Sequence, residues 1–110
     1  MNAFNFLVSN DKTHQKFNGG DFHRGSQRVF RFPNGFGASV VKTVYGRDGI
    51  ADHGTYGATE GLYELAVTEW TSAESWGICY STPITSDVLG WLSADDVEAT
   101  LEEIRALWIV

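Results

Sequence analysis

The feature that most constrains the fold is a pair of strand-type runs separated by a tight turn signal. Residues 27–32 and 36–45 are rich in β-branched and aromatic side chains, which favour β-strands. Between them, at 33–35, stands Pro-Asn-Gly, in which proline presets its own φ and the following residues tolerate positive φ. This order predicts an antiparallel hairpin. Gly37, inside the second run, predicts either a β-bulge or a close approach of another group to the backbone.

A second hairpin is predicted farther along the chain. Residues 62–70 have the composition of a strand, residues 71–76 that of a turn, and residues 77–82 that of the partner strand. Because these segments follow one another closely, antiparallel pairing is the economical arrangement. The preceding stretch, 46–61, is a long glycine-rich connection, which we interpret as either a recognition loop or a plain surface loop.

The two ends of the chain differ in organisation. We expect residues 1–25 to be loosely organised, with one short strand near Phe6 and a tight turn at the Asn-Gly-Gly of 18–20. Near the other end, Ser93 and Asp96 have the spacing of a capping box, which predicts the start of a helix. Apolar residues then recur at helical spacing and place one apolar stripe on a helix over 93–108: Val97, Leu101, Ile104 and Trp108.

Together these elements predict a single α+β domain over residues 1–110. The sheet is predicted to be curved and antiparallel, with four or five strands over 26–83, and the C-terminal helix is predicted to pack on one of its faces. A chain of 110 residues, 43% of them hydrophobic, is long enough to bury a core. With one cysteine, no signal-peptide pattern and no long apolar run, we expect a cytoplasmic protein without a membrane span.

No motif in the sequence indicates catalysis. The spacing of His14, His23 and His53 fits no zinc pattern, and there is no Gly-x-Ser-x-Gly elbow for a serine nucleophile. The glycines at 54–57 lack the Gly-Lys-Ser/Thr ending of a phosphate loop. Cys79, in the middle of a predicted strand, is interpreted as a core residue rather than a nucleophile. We therefore expect a protein that is not an enzyme and has no metal and no cofactor.

The charge is acidic and unevenly distributed. The net charge is -6, and seven of the eight Lys and Arg residues precede Asp48, whereas twelve of the fourteen Asp and Glu residues lie from Asp48 onward. Phosphate contacts need lysine and arginine, so this balance argues against direct nucleic-acid binding. The acidic part of the chain either attracts a basic surface on another protein or only keeps the domain soluble.

Aromatic residues offer a further signal. Phe30 and Phe32 with Arg28 and Arg31 could form a stacking surface for single-stranded nucleic acid. The strand period of two favours a different arrangement, in which the phenylalanines face the core and both arginines face water.

Tryptophan is enriched at interface hot spots. We expect Trp70 and Trp76 to be exposed, because they flank the turn of the second hairpin. These two tryptophans and eight acidic residues make up the predicted partner-binding surface: Trp70, Trp76, Glu60, Glu64, Glu69, Glu74, Asp95, Glu98, Glu102 and Glu103.

Three segments carry a resemblance to known sequences. They are Asn-Gly-Phe-Gly-Ala-Ser-Val-Val at 34–41, Gly-Leu-Tyr-Glu-Leu-Ala-Val at 61–67 and Thr-Pro-Ile-Thr at 82–85. Over roughly residues 28–107 the chain resembles a group of short uncharacterised proteins of bacteriophages and mobile elements. Ser86 stands where that group often has an aspartate. The resemblance implies a phage-type accessory protein and assigns no activity, cofactor or catalytic residue.

These observations lead to three hypotheses. The first is a non-enzymatic inhibitor of a host defence system, such as an anti-CRISPR, whose acidic surface steers it to a nucleic-acid-binding complex in the host cytoplasm. The second is a structural or morphogenetic phage protein that forms a homodimer or larger assembly through the apolar run 108–110. The third is a small ligand-binding domain that uses the 46–61 connection, with Asp52 and His53 as its polar groups.

Overall fold

One antiparallel sheet and one α-helix make up the fold of the described chain. A computed structural model describes residues 6–9, 14–18 and 20–107. In these ranges eight strands form the sheet, and the helix packs against it. The strands are β1 (Leu7–Ser9), β2 (His14–Asn18), β3 (Asp21–Arg31), β4 (Phe36–Arg47), β5 (Ile50–Gly54), β6 (Tyr63–Trp70), β7 (Trp76–Ile78) and β8 (Val88–Leu92). Helix α1 spans Ala94–Arg105, and a 3₁₀ turn spans Ala58–Glu60. The α+β class and the packing of the C-terminal helix on the sheet are confirmed.

The strand count is higher than the predicted four or five because two strands are unusually long. β3 has 11 residues and β4 has 12, and they pair along their whole length from Asp21↔Arg47 to Arg31↔Gly37. Each is long enough to pair with two further strands on its outer side. β1 and β2 both pair with β3, whereas β5 and β6 both pair with β4. The hairpin of β3 and β4 is therefore the central element of a molecule that measures 49 × 25 × 25 Å.

The core lies between one face of β3, β4 and β6 and the apolar side of α1. Phe30, Leu65, Leu101 and Ile104 are completely buried there. Burying such side chains contributes about 1.5–3 kcal/mol each. The helical stripe is confirmed as far as Ile104, while Trp108 lies outside the described residues.

The predicted capping box starts α1. The Ser93 hydroxyl accepts a hydrogen bond from the backbone N–H of Asp96 at 3.1 Å, and the Asp96 carboxylate accepts one from the backbone N–H of Ser93 at 3.1 Å. Two donors that the first helical turn would leave unpaired are thereby satisfied. No helix in the described ranges is long and apolar enough to cross a membrane.

Residues 14–25 are more ordered than the sequence predicted. β2 pairs with the first half of β3 from His14↔Gly25 to Asn18↔Asp21. The expectation of a loosely organised segment over 1–25 was wrong for these residues. β2 ends at Asn18 and β3 begins at Asp21, while Gly19 of the predicted Asn-Gly-Gly turn lies outside the described residues.

The glycine-rich connection of 46–61 is mostly regular structure, which corrects its interpretation as a loop. β4 continues to Arg47, and Asp48 and Gly49 then adopt positive φ values of 54° and 83°. Two consecutive residues with positive φ match the twist of a hairpin. β5 therefore returns antiparallel to β4, and the remaining connection contains the 3₁₀ turn.

The second predicted hairpin is present with shifted boundaries. β6 pairs with β7 from Thr68↔Ile78 to Trp70↔Trp76, so Trp76 belongs to the strand and the strand ends at Ile78 rather than at 82. Cys79 follows it and is buried in the core, with its N–H donating to the carbonyl oxygen of Val67 at 2.8 Å. Its interpretation as a core residue is confirmed.

The alternation of side chains along β3 corrects the expectation that Arg28 and Arg31 both face water. Phe30 is buried and Arg31 is exposed, as predicted. Arg28, however, lies on the same face of the sheet as Phe30, because residues two apart in a strand point the same way. Arg28 and Phe30 line one small cavity together with Val97 of the helix.

Candidate functional site

Trp91 and Tyr56 form an exposed aromatic pair at one edge of the sheet. Each is 58% exposed. The backbone N–H of Trp91 donates to the carbonyl oxygen of Tyr56 at 3.1 Å. Gly90 and Gly57 permit this contact, because a Cβ on Gly90 would lie 2.3 Å from Cβ of Tyr56, and one on Gly57 would lie 2.9 Å from Cα of Trp91. The glycines thus let the two segments that carry these exposed aromatic residues approach closely, with Tyr56 lying against Gly90 and Trp91 against Gly57.

Trp91 occupies a strained backbone position. Between Tyr63↔Leu92 and Leu65↔Leu89 the register advances by two residues on β6 and three on β8, so β8 contains a bulge. Trp91 lies in this bulge with φ of +60°. A bulky residue with such a φ costs about 1–3 kcal/mol, and glycine would carry no such cost. Bulges redirect side chains, and the redirected side chain here is an exposed indole.

Three carboxylates lie near these two aromatic residues, one by direct contact and two by position along the chain. Glu64 accepts a hydrogen bond from the backbone N–H of Tyr56 at 3.3 Å. Glu60 is exposed in the 3₁₀ turn four residues after Tyr56, and Asp95 is exposed in the first turn of α1 four residues after Trp91. Among the described residues, none of these three carboxylates forms an ion pair. We call these five residues the Tyr56–Trp91 surface.

The two predicted tryptophans have different environments. Trp70 is half-buried, and its indole N–H donates to the carbonyl oxygen of Phe30 at 3.1 Å. Trp76 is 36% exposed, and its ring centroid lies 6.3 Å from that of Trp70. Of this pair, Trp76 is the more exposed. Trp91 is more exposed than either, and the sequence does not predict this because a positive φ at a tryptophan has no sequence signature.

The structure does not bring the eight predicted acidic residues into one patch. Glu64 and Glu69 are five positions apart on β6 and therefore point to opposite faces of the sheet. Glu74 lies in the turn between β6 and β7. The remaining acidic residues divide between the 3₁₀ turn and the solvent side of α1: Glu60, Asp95, Glu98, Glu102 and Glu103.

One of these acidic residues already has a partner. Both Nε and Nη2 of Arg105 donate to one carboxylate oxygen of Glu102, at 2.9 and 2.7 Å. This pair is typical of residues three apart on a helix and belongs to the local stability of α1. Glu102 therefore contributes less to an attractive surface than Asp95, Glu98 and Glu103, which are exposed on the same helix.

Asp52 and His53 are brought together on β5, as the ligand-binding hypothesis requires. Nδ1 of His53 forms a hydrogen bond with the Asp52 carboxylate. The His53 ring stacks on Tyr45 with centroids 5.2 Å apart, and Tyr45 in turn lies 5.7 Å from the ring of His23. In the part of the chain that the structure describes, no group of three or more His, Cys, Asp or Glu residues could hold a metal ion.

Comparison with known proteins assigns no function to this site. No family model, curated protein or solved structure matches this chain. Trp108, Ile109 and Val110, on which the self-association hypothesis depends, lie outside the described residues. The Tyr56–Trp91 surface, which none of the three hypotheses included, combines two highly exposed aromatic side chains with carboxylates that form no ion pair among the described residues.

Proposed function

We propose that this protein acts by binding a basic surface of another protein through the Tyr56–Trp91 surface. The observation that carries the proposal is the conformation of Trp91. A tryptophan stands at a left-handed bulge position where glycine would be free of strain, and its side chain is more than half exposed. An exposed indole contributes little to the core, so packing of the Trp91 side chain does not offset the backbone strain. Tryptophan in an interface, by contrast, is a common source of binding energy.

The charge around the aromatic pair favours a cationic partner. Glu60, Glu64 and Asp95 would attract lysine and arginine side chains and would raise the rate of association. A guanidinium or ammonium group that stacks on an exposed indole adds about 0.5–2 kcal/mol. In the described ranges, the chain's own cation–π contacts are on other rings: Arg24 on Phe22, Arg31 on Trp70 and Lys42 on Tyr63. The faces of Tyr56 and Trp91 therefore remain available to a partner.

A more specific form of the proposal is inhibition of a host defence complex, such as a CRISPR effector, in the host cytoplasm. Its support is the resemblance of segments 34–41, 61–67 and 82–85 to phage accessory proteins. An acidic protein of this size could compete with nucleic acid for a basic channel of such a complex. The protein would then act by occlusion and would need no catalytic group.

The experiment measures binding of the purified protein to a panel of purified CRISPR effector–guide complexes by biolayer interferometry, at low and at high salt. We expect at least one complex to bind, with a slower association rate at high salt because screening weakens electrostatic steering. The substitution Trp91→Gly should weaken binding about 30-fold, which corresponds to a hot spot of about 2 kcal/mol. Tyr80→Ala, which removes a tyrosine of similar exposure elsewhere on the surface, is the matched control and should leave affinity unchanged.

The outcomes test inhibition of a CRISPR complex and the location of the interface separately. If no effector complex binds, inhibition of CRISPR is wrong. If a complex binds but Trp91→Gly and Tyr80→Ala behave alike, the interface is not the Tyr56–Trp91 surface.

A further inference from the structure

A cavity lies beside the turn between β3 and β4, away from the Tyr56–Trp91 surface. Its volume is about 360 Å³, within the range of about 300–1,000 Å³ that small-molecule sites occupy. The cavity has an apolar wall and a polar wall. Phe6, Phe32 and Pro33 line the first, and Arg31, Thr71 and Ser72 line the second.

Arg31 is held in place at this cavity. Its guanidinium carbon lies 5.7 Å from the ring centroid of Trp70, which also lines the cavity. The Trp70 ring is itself fixed, because its N–H donates to the carbonyl oxygen of Phe30 and a Cβ on Gly37 would lie only 2.6 Å from its nitrogen. An arginine supported by a fixed aromatic ring loses little side-chain entropy when it binds a ligand.

Arg31 has no carboxylate partner among the described residues, which distinguishes it from Arg47 and Arg105. Arg47 pairs with Asp21, and Arg105 pairs with Glu102. With a net charge of -6, carboxylates are abundant in this chain. An arginine that lines a cavity and remains unpaired in such a protein is available to an anion from outside.

The hydroxyl groups of the polar wall complement the guanidinium. The backbone N–H of Glu74 donates to the Ser72 hydroxyl oxygen at 3.3 Å, so the hydroxyl proton of Ser72 remains free to donate. Thr71, by contrast, donates its own proton to the carbonyl oxygen of Ser75 at 3.2 Å. Arg31 thus offers only donors and Ser72 offers one free O–H donor, and such donors suit the oxygens of a carboxylate or a phosphate ester.

We propose that this cavity binds a small organic anion, with its anionic oxygens on Arg31 and Ser72 and its apolar body against Phe6 and Pro33. Phe6 and Phe32 meet edge to face with centroids 5.6 Å apart. Phe6 is packed in this way on the buried Phe32, so Phe6 and the exposed Pro33 give a flat aromatic or aliphatic body an apolar surface to contact. The site shares no residue with the Tyr56–Trp91 surface, so it does not depend on the function proposed above.

The test uses benzoate, phenyl phosphate and the neutral benzyl alcohol as probes, with the indole N–H resonance of Trp70 in ¹⁵N spectra as the reporter. We expect saturable shifts of this resonance with at least one anion and at least tenfold weaker binding of benzyl alcohol. A stronger response to benzoate identifies a carboxylate ligand, and a stronger response to phenyl phosphate identifies a phosphate ester.

Two substitutions locate the site. Arg31→Gln should weaken binding of the anion at least tenfold, and Ser72→Ala, in an exposed turn, should weaken it severalfold. Arg24→Gln is the matched control, because Arg24 also stacks on an aromatic ring, that of Phe22 at 5.6 Å, but lies outside the cavity. Equal binding of benzyl alcohol and the anions, or unchanged binding by both Arg31→Gln and Ser72→Ala, would overturn the proposal.

Discussion

The side-chain amide of Asn34 donates a hydrogen bond to the backbone carbonyl oxygen of Ile104 at 2.9 Å. The same nitrogen lies 3.1 Å from the carbonyl oxygen of Arg105 and 2.9 Å from that of Leu107. The last carbonyls of a helix have no partner within the helix, and here a residue of the β3–β4 turn supplies one. Asn34 therefore joins the tip of the longest hairpin to the end of α1.

Removing this amide should loosen the helix from the sheet. We expect Asn34→Ala to lower the free energy of unfolding by about 1–2 kcal/mol, the usual cost of leaving part-buried polar groups unpaired. Asn34→Asp should cost more, because it removes both donors and places a negative charge at the negative end of the helix. Urea denaturation followed by circular dichroism measures both. A smaller loss for Asn34→Asp than for Asn34→Ala would contradict the capping role.

Gly37 lets Trp70 reach across the sheet. Trp70 stands on β6, yet its indole N–H bonds to Phe30 on β3 by passing over Gly37 on the intervening strand β4. A Cβ on Gly37 would lie 2.0 Å from the carbonyl oxygen of Phe30 and 2.6 Å from the Trp70 nitrogen. The close approach that the sequence analysis offered for Gly37 is thus present.

We expect Gly37→Ala to displace Trp70 and to destabilise the protein by about 3 kcal/mol, at the upper end of the usual cost of overpacking. Gly77→Ala is the control, because a Cβ there would have no neighbour within 4 Å. Its thermal midpoint should match that of the wild type. If the two substitutions have equal effects in a thermal melt, the crossing of Trp70 over Gly37 is not a source of stability.

Local signals explain which parts of the fold the sequence predicts. The Pro-Asn-Gly turn at 33–35 and the capping box at Ser93 depend on residues close in the chain, and both are present. Asp48-Gly49 carries an equally local hairpin signal, but the surrounding glycines of 46–61 made the whole segment resemble a loop.

The sites depend on contacts that no local pattern encodes. Trp91 acquires its positive φ from a bulge against β6, and Arg31 meets Trp70 only because three strands lie side by side. The prediction of a single acidic patch failed for a similar reason. Glu64 and Glu69 are an odd number of positions apart on β6, so they point to opposite faces of the sheet.

Trp91→Gly should leave the stability of the isolated protein unchanged or raise it. Glycine relieves the strain at a φ of +60°, worth about 1–3 kcal/mol, and the lost indole is mostly exposed. Trp70→Ala is the contrasting substitution, because it removes a half-buried ring and its hydrogen bond, and it should cost about 3 kcal/mol. Guanidinium titrations compare the two. A clear loss of stability in Trp91→Gly would mean that Trp91 is retained for folding rather than for binding.

The ion pair between Asp21 and Arg47 should be visible in a titration. Nε of Arg47 donates to the Asp21 carboxylate at 2.7 Å, and this hydrogen bond, with the attraction of the two charges, holds the pKa of Asp21 below its ordinary value. A carboxyl whose pKa is lower in the folded state adds stability above its unfolded pKa and loses it as the pH falls through the folded pKa. Because both side chains are more than half exposed, salt should weaken the effect.

Carboxyl ¹³C chemical shifts followed against pH measure the Asp21 pKa directly. In Arg47→Gln the pKa should rise toward the ordinary value, because both the donor and the positive charge are lost. Arg24→Gln, which removes an exposed arginine from the same strand as Asp21, should leave it unchanged, since Arg24 stacks on Phe22 instead. If both substitutions raised the Asp21 pKa equally, the general positive charge of this end of the sheet, rather than the hydrogen bond from Arg47, would be its cause.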